Sequence, residues 1–519
     1  MPRSFHVIAP ADSRPPEPAA DAWGRMAGRR AAWSAWGPYV LVAALFWLIL
    51  TVAARHTPIN GDFGQHASAV ERVKADWLHP ANPLLRESGT GSPYYSPYIV
   101  TLGLLARATG AAGWKVLRWC GPVNLAVLVV GVGAYAHTLS RRRLAPVYAL
   151  LAFTLLWGVN GSAWSGFCGV RSLTLVASYP STFAVGLSFV LWTLADRLAR
   201  RPATVAAYAG LGVLAGILLL IHPITALAAG VGVAAVVAGR QRGWTRRVAA
   251  RWAVTVGAAL VVAAVWPYYD VFRLAGDSTV DAVHKELYAH LWGWYGLALV
   301  GLPALVRRGR TCRRDPLVLM FGADLLIVTY GWFSGHYTYG RVFALLLVPL
   351  QFALAVELAE IPPWTLLRRV LAPLAAVALG LGLLAQAGAV MPRHVLVRTL
   401  ERPRPWPGYQ WAAHRIPVGA VVLTSGYLPI HVLPAYGAFL VAPAWPDPST
   451  SLADRDRRFA DTRAYLAPHA TPALQRAIQQ RYDVSWLLLT RGQRVPFDGT
   501  VIAAKPATGE RLVRLAAPG

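Results

Sequence analysis

Apolar residues along this chain gather in long blocks, unlike the short stripes of a water-soluble domain. A bilayer core about 30 Å thick takes about 20 apolar residues in a helix. By that measure the sequence predicts spans near 38–54, 117–139, 144–161, 179–196, 203–221, 223–239, 252–270, 289–306, 316–334, 342–359 and 370–390. Residues 97–112 (PYIVTLGLLARATGAA) are almost long enough to cross. A crossing there inverts every later loop, so they are predicted to lie as a helix along the membrane surface. Residues 1–37 contain no apolar run and are predicted to form a disordered cytoplasmic tail.

The pattern changes near residue 390. A Pro-rich linker is predicted over 391–408, ending in RPRPWPG. Strand-like runs follow at 419–424 (GAVVLT) and 437–442 (GAFLVA), then helical stretches at 451–466 and 471–481. A buried-strand pattern at 484–489 (VSWLLL) and shorter β-like runs at 499–504 and 511–515 complete the chain. That order predicts a small α/β domain over 409–519. The predicted fold class is a multi-pass α-helical membrane protein with about 11 transmembrane helices over 38–390, and a C-terminal extracytoplasmic α/β domain.

Composition agrees. Charged residues make up 14% of the chain, against about 25% in soluble proteins, which excludes one large soluble enzyme. The formal charge of +26 raises the question of a nucleic-acid partner. The arginines answer it, because they sit between the apolar blocks. Eighteen occupy one set of loops, from Arg141–Arg143 to Arg368 and Arg369, against four basic residues (Arg171, Arg273, Lys285, Arg341) in the short loops of the other set. The positive-inside bias then predicts a cytoplasmic N-terminus and an extracytoplasmic C-terminus. Three cysteines support neither a disulfide framework nor a metal site by their spacing. Arg-rich, Lys-poor, Ala-rich usage fits a bacterial plasma membrane protein.

Candidate chemistry lies in the large first outer loop, 55–116. It opens HTPINGDFGQHASAVERVKADWLHPAN (56–82). If 62–79 is helical, Asp62, His66 and Asp76 share one polar stripe and Glu71 faces away. Asp62 then either caps the helix or takes a proton from an acceptor hydroxyl. His66 orients it, binds a phosphate or caps a turn. Tyr94 and Tyr95, in GTGSPYYSPY (89–98), belong to a membrane aromatic belt or stack on a sugar. The loop near 271–288 holds Asp277, Asp281, His284, Lys285 and Glu286, forming a solvated charged face or an acceptor-binding loop. His222–Pro223 reads as a structural turn. Arg341 opens a span against the charge bias and needs a partner there. A lipid phosphate suits its fork; an ion pair or snorkelling is the alternative.

Taken together, these features resemble the membrane glycosyltransferases of the GT-C fold. The features are one span, a large loop opening with an aspartate (NGD, Asp62), an interfacial segment ending near Gly113, an Arg-bearing entry to the next span (Arg118), an RRR exit, many spans and a final outer domain. That group includes protein O-mannosyltransferases and lipid A aminoarabinose transferases. The resemblance implies an inverting enzyme that moves a sugar from a polyprenyl-phosphate donor to a cell-envelope glycan, lipid or protein acceptor, with membrane lipids around it. It implies Asp62 as base and Arg341, with His66, at the donor phosphate; Tyr94, Tyr95, Asp76 and Glu286 are the candidate sugar or acceptor contacts. Two departures matter. The aspartate–glutamate pair of several relatives is Asp62–Phe63 here, and no WWD-type motif is present, which argues against oligosaccharyl transfer and leaves a divalent metal requirement open. The rival readings are a polytopic transporter or lipid flippase, and a non-catalytic GT-C-like protein that binds glycan. No pair of interrupted helices in repeated halves supports transport.

Overall fold

The structure, a computed structural model, describes residues 19–87, 91–201, 203–276, 278–361, 365–391, 406–444, 447 and 449–516, with only the backbone of 19–35. Most of the expected linker, and Asp277, lie outside the described residues.

Helix α1 (Ala19–Arg55) begins inside the segment expected to be a tail, where an Ala-rich stretch favours helix. Its membrane-length part is Trp36–Arg55. The first loop folds as α2 (Phe63–Ala75) and α3 (Pro97–Thr109) before α4 (Gly113–Leu139). At 1.5 Å per residue, α3 is about 20 Å long and too short to cross.

Eight helices among the described residues are long and apolar enough to span: Trp36–Arg55, α4, Pro180–Arg200, Pro223–Arg240, Arg246–Ala264, Pro316–Ser334, Tyr337–Leu358 and Leu366–Ala387. The expected eleven is corrected accordingly. Two of the remaining three apolar blocks are short helices, Ala145–Leu155 and Val205–Ile221. The third is a pair, Asp281–Tyr288 and Leu291–Thr311, bent by 75°, which makes nine if counted as one span. Backbone pairing explains two of these departures. Past Leu155 the chain leaves the helix, and Asn160 donates to Gly293 O (2.8 Å) while Leu297 donates to Trp157 O (3.0 Å). Non-helical backbone persists in a membrane protein where such partners satisfy it.

Tyr135, Phe153, Phe189, Trp192 and Phe352 pack as an aromatic core of the bundle. At the end of the bundle away from α2, arginines pair with carboxylates: Arg200 and Arg240 with Asp196, Arg307 and Arg368 with Glu357, Arg308 with Asp315.

The C-terminal domain is a five-stranded sheet of β1 (Val421–Leu423), β2 (Phe439–Leu440), β3 (Val484–Leu489), β4 (Gly499–Lys505) and β5 (Glu510–Leu515). The order is β2-β1-β3-β5-β4, parallel across β2, β1 and β3 and antiparallel across β3, β5 and β4. Helices Leu452–Tyr465 and Pro472–Tyr482 form the crossover into β3. Each strand falls on a predicted run.

This domain is clamped to the first loop. Arg72 of α2 donates to Gly437 O (3.1 Å) and Ala438 O (3.2 Å) and lies over the Phe439 ring. Ser92 donates to Asp447 (2.7 Å), and Leu440 N donates to Leu84 O (2.8 Å). Gly64 is where α2 meets the domain: a Cβ there would sit 1.8 Å from the His431 carbonyl oxygen, so only glycine fits.

Candidate active site

Asp62 stands at the N-cap of α2, after a turn in which Gly61 takes a φ of +49°. Its carboxylate makes no capping hydrogen bond, so the cap reading of this residue gives way. The side chain is half-buried, and the helix N-terminus favours its negative charge.

Two tyrosines close in on it. Tyr179 donates to Asn60 O (2.9 Å), and Tyr94 donates to Gln65 Oε1 (3.2 Å). Burial, then the charge of Asp62, holds both phenols well above their ordinary pKa, so they remain protonated. Tyr179 is held by a polar knot: Asn124 of α4 donates to Tyr179 O (3.3 Å), Ala177 O (2.9 Å) and Tyr98 of α3 (2.9 Å). The domain adds Tyr427, which also feels the charge of Asp62.

Arg341 lies at the start of the span Tyr337–Leu358, within electrostatic reach of Asp62. Its Nη2 donates to Ser165 O (2.5 Å), and its Nη1 meets His284 Nε2 at 3.2 Å. Arginine has only donors, so Nε2 accepts and the His284 proton sits on Nδ1. That N–H faces Thr338 Oγ1 (3.0 Å), whose hydroxyl donates to Asp281 Oδ1 (2.6 Å). A chain of bonds thus runs from a buried carboxylate to the guanidinium and fixes its orientation. His222, bonded to Thr225 at 2.8 Å, feels the charges of Arg341, His66 and His284.

Of the predicted residues, the structure brings together Asp62, His66, Tyr94 and Arg341. His66 lies edge-on to Tyr94 and Tyr179, at centroid distances of 5.6 and 5.1 Å. Burial pushes its pKa down to about 3, so it is neutral and brings no charge to a phosphate. The other three lie elsewhere. Asp76 is not on the stripe, because α2 ends at Ala75; its exposed carboxylate accepts from the Leu78 and His79 amides (3.0 Å each). Tyr95 is fully buried and donates to Ala81 O, so its ring has no exposed face on which a sugar could stack. Glu286 is exposed; it is Asp281 and His284 in that loop that turn inward. Sequence reasoning left Tyr179 and Thr338 unremarked and took His222 as structural. Tyr179 and His222 each stand immediately before a proline that starts a span. Such residues are held extended, and that placement is the signal. Among the described residues no three His, Cys, Asp or Glu side chains gather as a metal-binding group.

No protein-family model matches the sequence, and no curated protein matches it. Solved structures do. ArnT from Cupriavidus metallidurans bound to undecaprenyl phosphate superposes with a TM-score of 0.52 at 16% identity, over 92% of this chain and 98% of that one. Its apo form gives 0.53 at 16% identity, over 92% and 97%. The arabinofuranosyltransferase AftD from Mycobacteria matches with 0.52 at 14% identity, over 93% of this chain. The chain spans 40% of the length of AftD. Nearly the whole polypeptide therefore shares the GT-C fold of ArnT and AftD.

Proposed function

We propose that the protein is an inverting glycosyltransferase that moves a sugar from a polyprenyl-phosphate donor to a cell-envelope acceptor. In this reading the site faces the extracytoplasmic side of a bacterial plasma membrane, where no sugar nucleotide is expected. The donor must then bring its activation with it, as a polyprenyl-phosphate sugar does; ArnT, of the same fold, was solved with undecaprenyl phosphate.

Asp62 takes the proton of the acceptor hydroxyl as that oxygen bonds to the anomeric carbon. The bond from that carbon to the phosphate oxygen breaks, and its electron pair leaves with the polyprenyl phosphate. Arg341 meets the charge that grows there with a rigid fork, already aimed by His284 and Ser165 O. One carboxylate acting as base, with no second as nucleophile, gives inversion. Tyr94 and Tyr179, kept neutral, offer hydroxyls to the sugar.

What supports the reading is that Asp62, on the first loop, and Arg341, at the mouth of a late span, lie within electrostatic reach of each other. Purified protein incubated with a panel of polyprenyl-phosphate sugars should cleave at least one. Asp62→Asn, with an unchanged melting curve, should lose that cleavage by two orders of magnitude or more. Wild-type cleavage by the Asn variant removes Asp62 from the mechanism.

A further inference from the structure

A cavity of about 180 Å³ lies beside the site between the first loop, the start of α4 and the C-terminal domain. Pro58, Ile59, Trp114, Arg118, Trp406 and Tyr436 line it. It has room for several waters, the scale of one sugar ring. Its walls are ring faces, with Trp114 and Tyr436 5.9 Å apart at 56°.

Its one charged group is Arg118. The guanidinium lies 5.8 Å from the Trp114 centroid and 5.7 Å from that of Phe63. It donates a single hydrogen bond, to Thr57 O at 3.3 Å. Among the described residues no carboxylate pairs with it, in contrast to the arginines at the other end of the bundle. The remaining N–H groups of its fork are left for an anion.

The cavity connects to the chemistry. Pro58 and Ile59 lie on the strand of chain that leads into Asp62. On the domain side, Trp406 packs on Tyr427 (6.0 Å) and His431 (5.5 Å), and Tyr427 feels the charge of Asp62. A row of rings thus runs from the base to the basic cavity, on the C-terminal domain's side of Asp62.

We propose that this cavity is an acceptor subsite that holds one acidic residue of a glycan, its ring on Trp114 and Trp406 and its carboxylate or phosphate on Arg118. The assignment rests on the glycosyltransferase reading, which it extends to the charge and class of the acceptor.

The test uses full-length protein in phosphatidylcholine nanodiscs, with trigalacturonate as the acidic probe and maltotriose as the neutral one, binding followed by saturation-transfer NMR. Trigalacturonate should bind at least ten-fold more tightly than maltotriose. Arg118→Gln and Trp406→Ala should each weaken it ten-fold or more at an unchanged melting temperature. Because Arg118 also holds Thr57 O, Arg118→Lys keeps a cation in place and should recover part of the binding. Failure of trigalacturonate to bind the wild type, or equal binding by folded Arg118→Gln, overturns the proposal. So does full displacement by phosphatidylglycerol added to the nanodiscs, which assigns the cavity to a lipid headgroup. Asp62→Asn should not weaken trigalacturonate binding, and its effect on donor cleavage is read separately. Acidic-glycan binding with cleavage unaffected by Asp62→Asn sinks the catalytic reading alone; the reverse pair of results sinks the subsite alone.

Discussion

Gly64→Ala puts the positioning of the base to the test without touching a catalytic group. The added Cβ would lie 1.8 Å from the His431 carbonyl oxygen and 3.0 Å from its carbon. The obstacle is backbone, so no side-chain rotation relieves it. Moving that oxygen out to 3.0 Å opens the junction of α2 and the domain by about 1.2 Å, and overpacking of this kind costs about 1–3 kcal/mol. Asp62 is two residues upstream, at the N-cap of the same helix, so it shares the displacement. A misplacement of about 1 Å at a reacting group costs on the order of 100-fold in rate. The expected outcome is a folded protein with a lowered melting temperature and donor cleavage reduced by about that factor. Gly257→Ala is the matched control, since a Cβ at that helical position meets nothing within 4 Å; it should be neutral or gain about 0.5–1 kcal/mol. Gly64→Ala with wild-type cleavage and melting would refute the claim that this contact sets where Asp62 stands.

Thr338→Val removes the hydroxyl that joins Asp281 to His284 and leaves a buried N–H without its acceptor, a loss of about 1–3 kcal/mol. Donor cleavage should fall about ten-fold or more in kcat/KM and return with Thr338→Ser; an unchanged value separates the relay from the function of Arg341. Tyr95→Phe should cost about 1 kcal/mol of stability with cleavage kinetics intact, whereas Tyr94→Phe should lower cleavage at little cost in melting temperature. A reversed pair of outcomes exchanges the roles assigned to these neighbours. Stability should also fall on acidification: burial lowers His66 from 6.5 to about 3 and His431 from 6.5 to about 4. Between those values the unfolded chain carries protons that the folded chain does not, so each group contributes a loss of about 1.4 kcal/mol per pH unit as pH drops below 6.5. Denaturant midpoints for His66→Gln should show a flatter decline with acid than wild type, and parallel declines would show that His66 is not buried neutral.

Most of the architecture was legible because membrane burial writes itself in long apolar blocks and sheet burial in short ones. The five strands and two crossover helices lie where alternation and β-branched runs put them. What failed was the step from apolar to spanning. Ala145–Leu155 and the bent pair at 281–311 both pack on the buried helix Phe343–Leu358, and hydropathy does not distinguish a protein neighbour from lipid. The stripe of Asp62, His66 and Asp76 failed for a local reason. The helix was expected to run to residue 79, but Asp76 accepts from the Leu78 and His79 amides and α2 ends a turn earlier. The site was half legible. Asp62 stood out as a carboxylate opening the large outer loop, and Arg341 as a charge against the loop bias. Tyr179 and Thr338 did not, since a tyrosine or a threonine near the interface is unexceptional until its neighbours are known.

The proposed pair of groups belongs to different bodies. Asp62 sits on a loop outside the bundle and Arg341 at the mouth of a buried span. Their separation is therefore set by packing through third parties. On one side Asn124 ties α3 and α4 to the backbone of Tyr179, whose hydroxyl bonds Asn60, two residues before the base. On the other side the domain bears on α2 at Gly64 and grips Arg72. The first loop is thus held between the bundle and the C-terminal domain, and the carboxylate lies where both grips converge. A rigid base beside a pre-aimed guanidinium suits a reaction whose barrier is lowered by fixed charge and alignment. In the proposed reaction the small domain would then act without lending a reacting group: loosening its hold on α2 would move Asp62 while leaving Arg341 where it is.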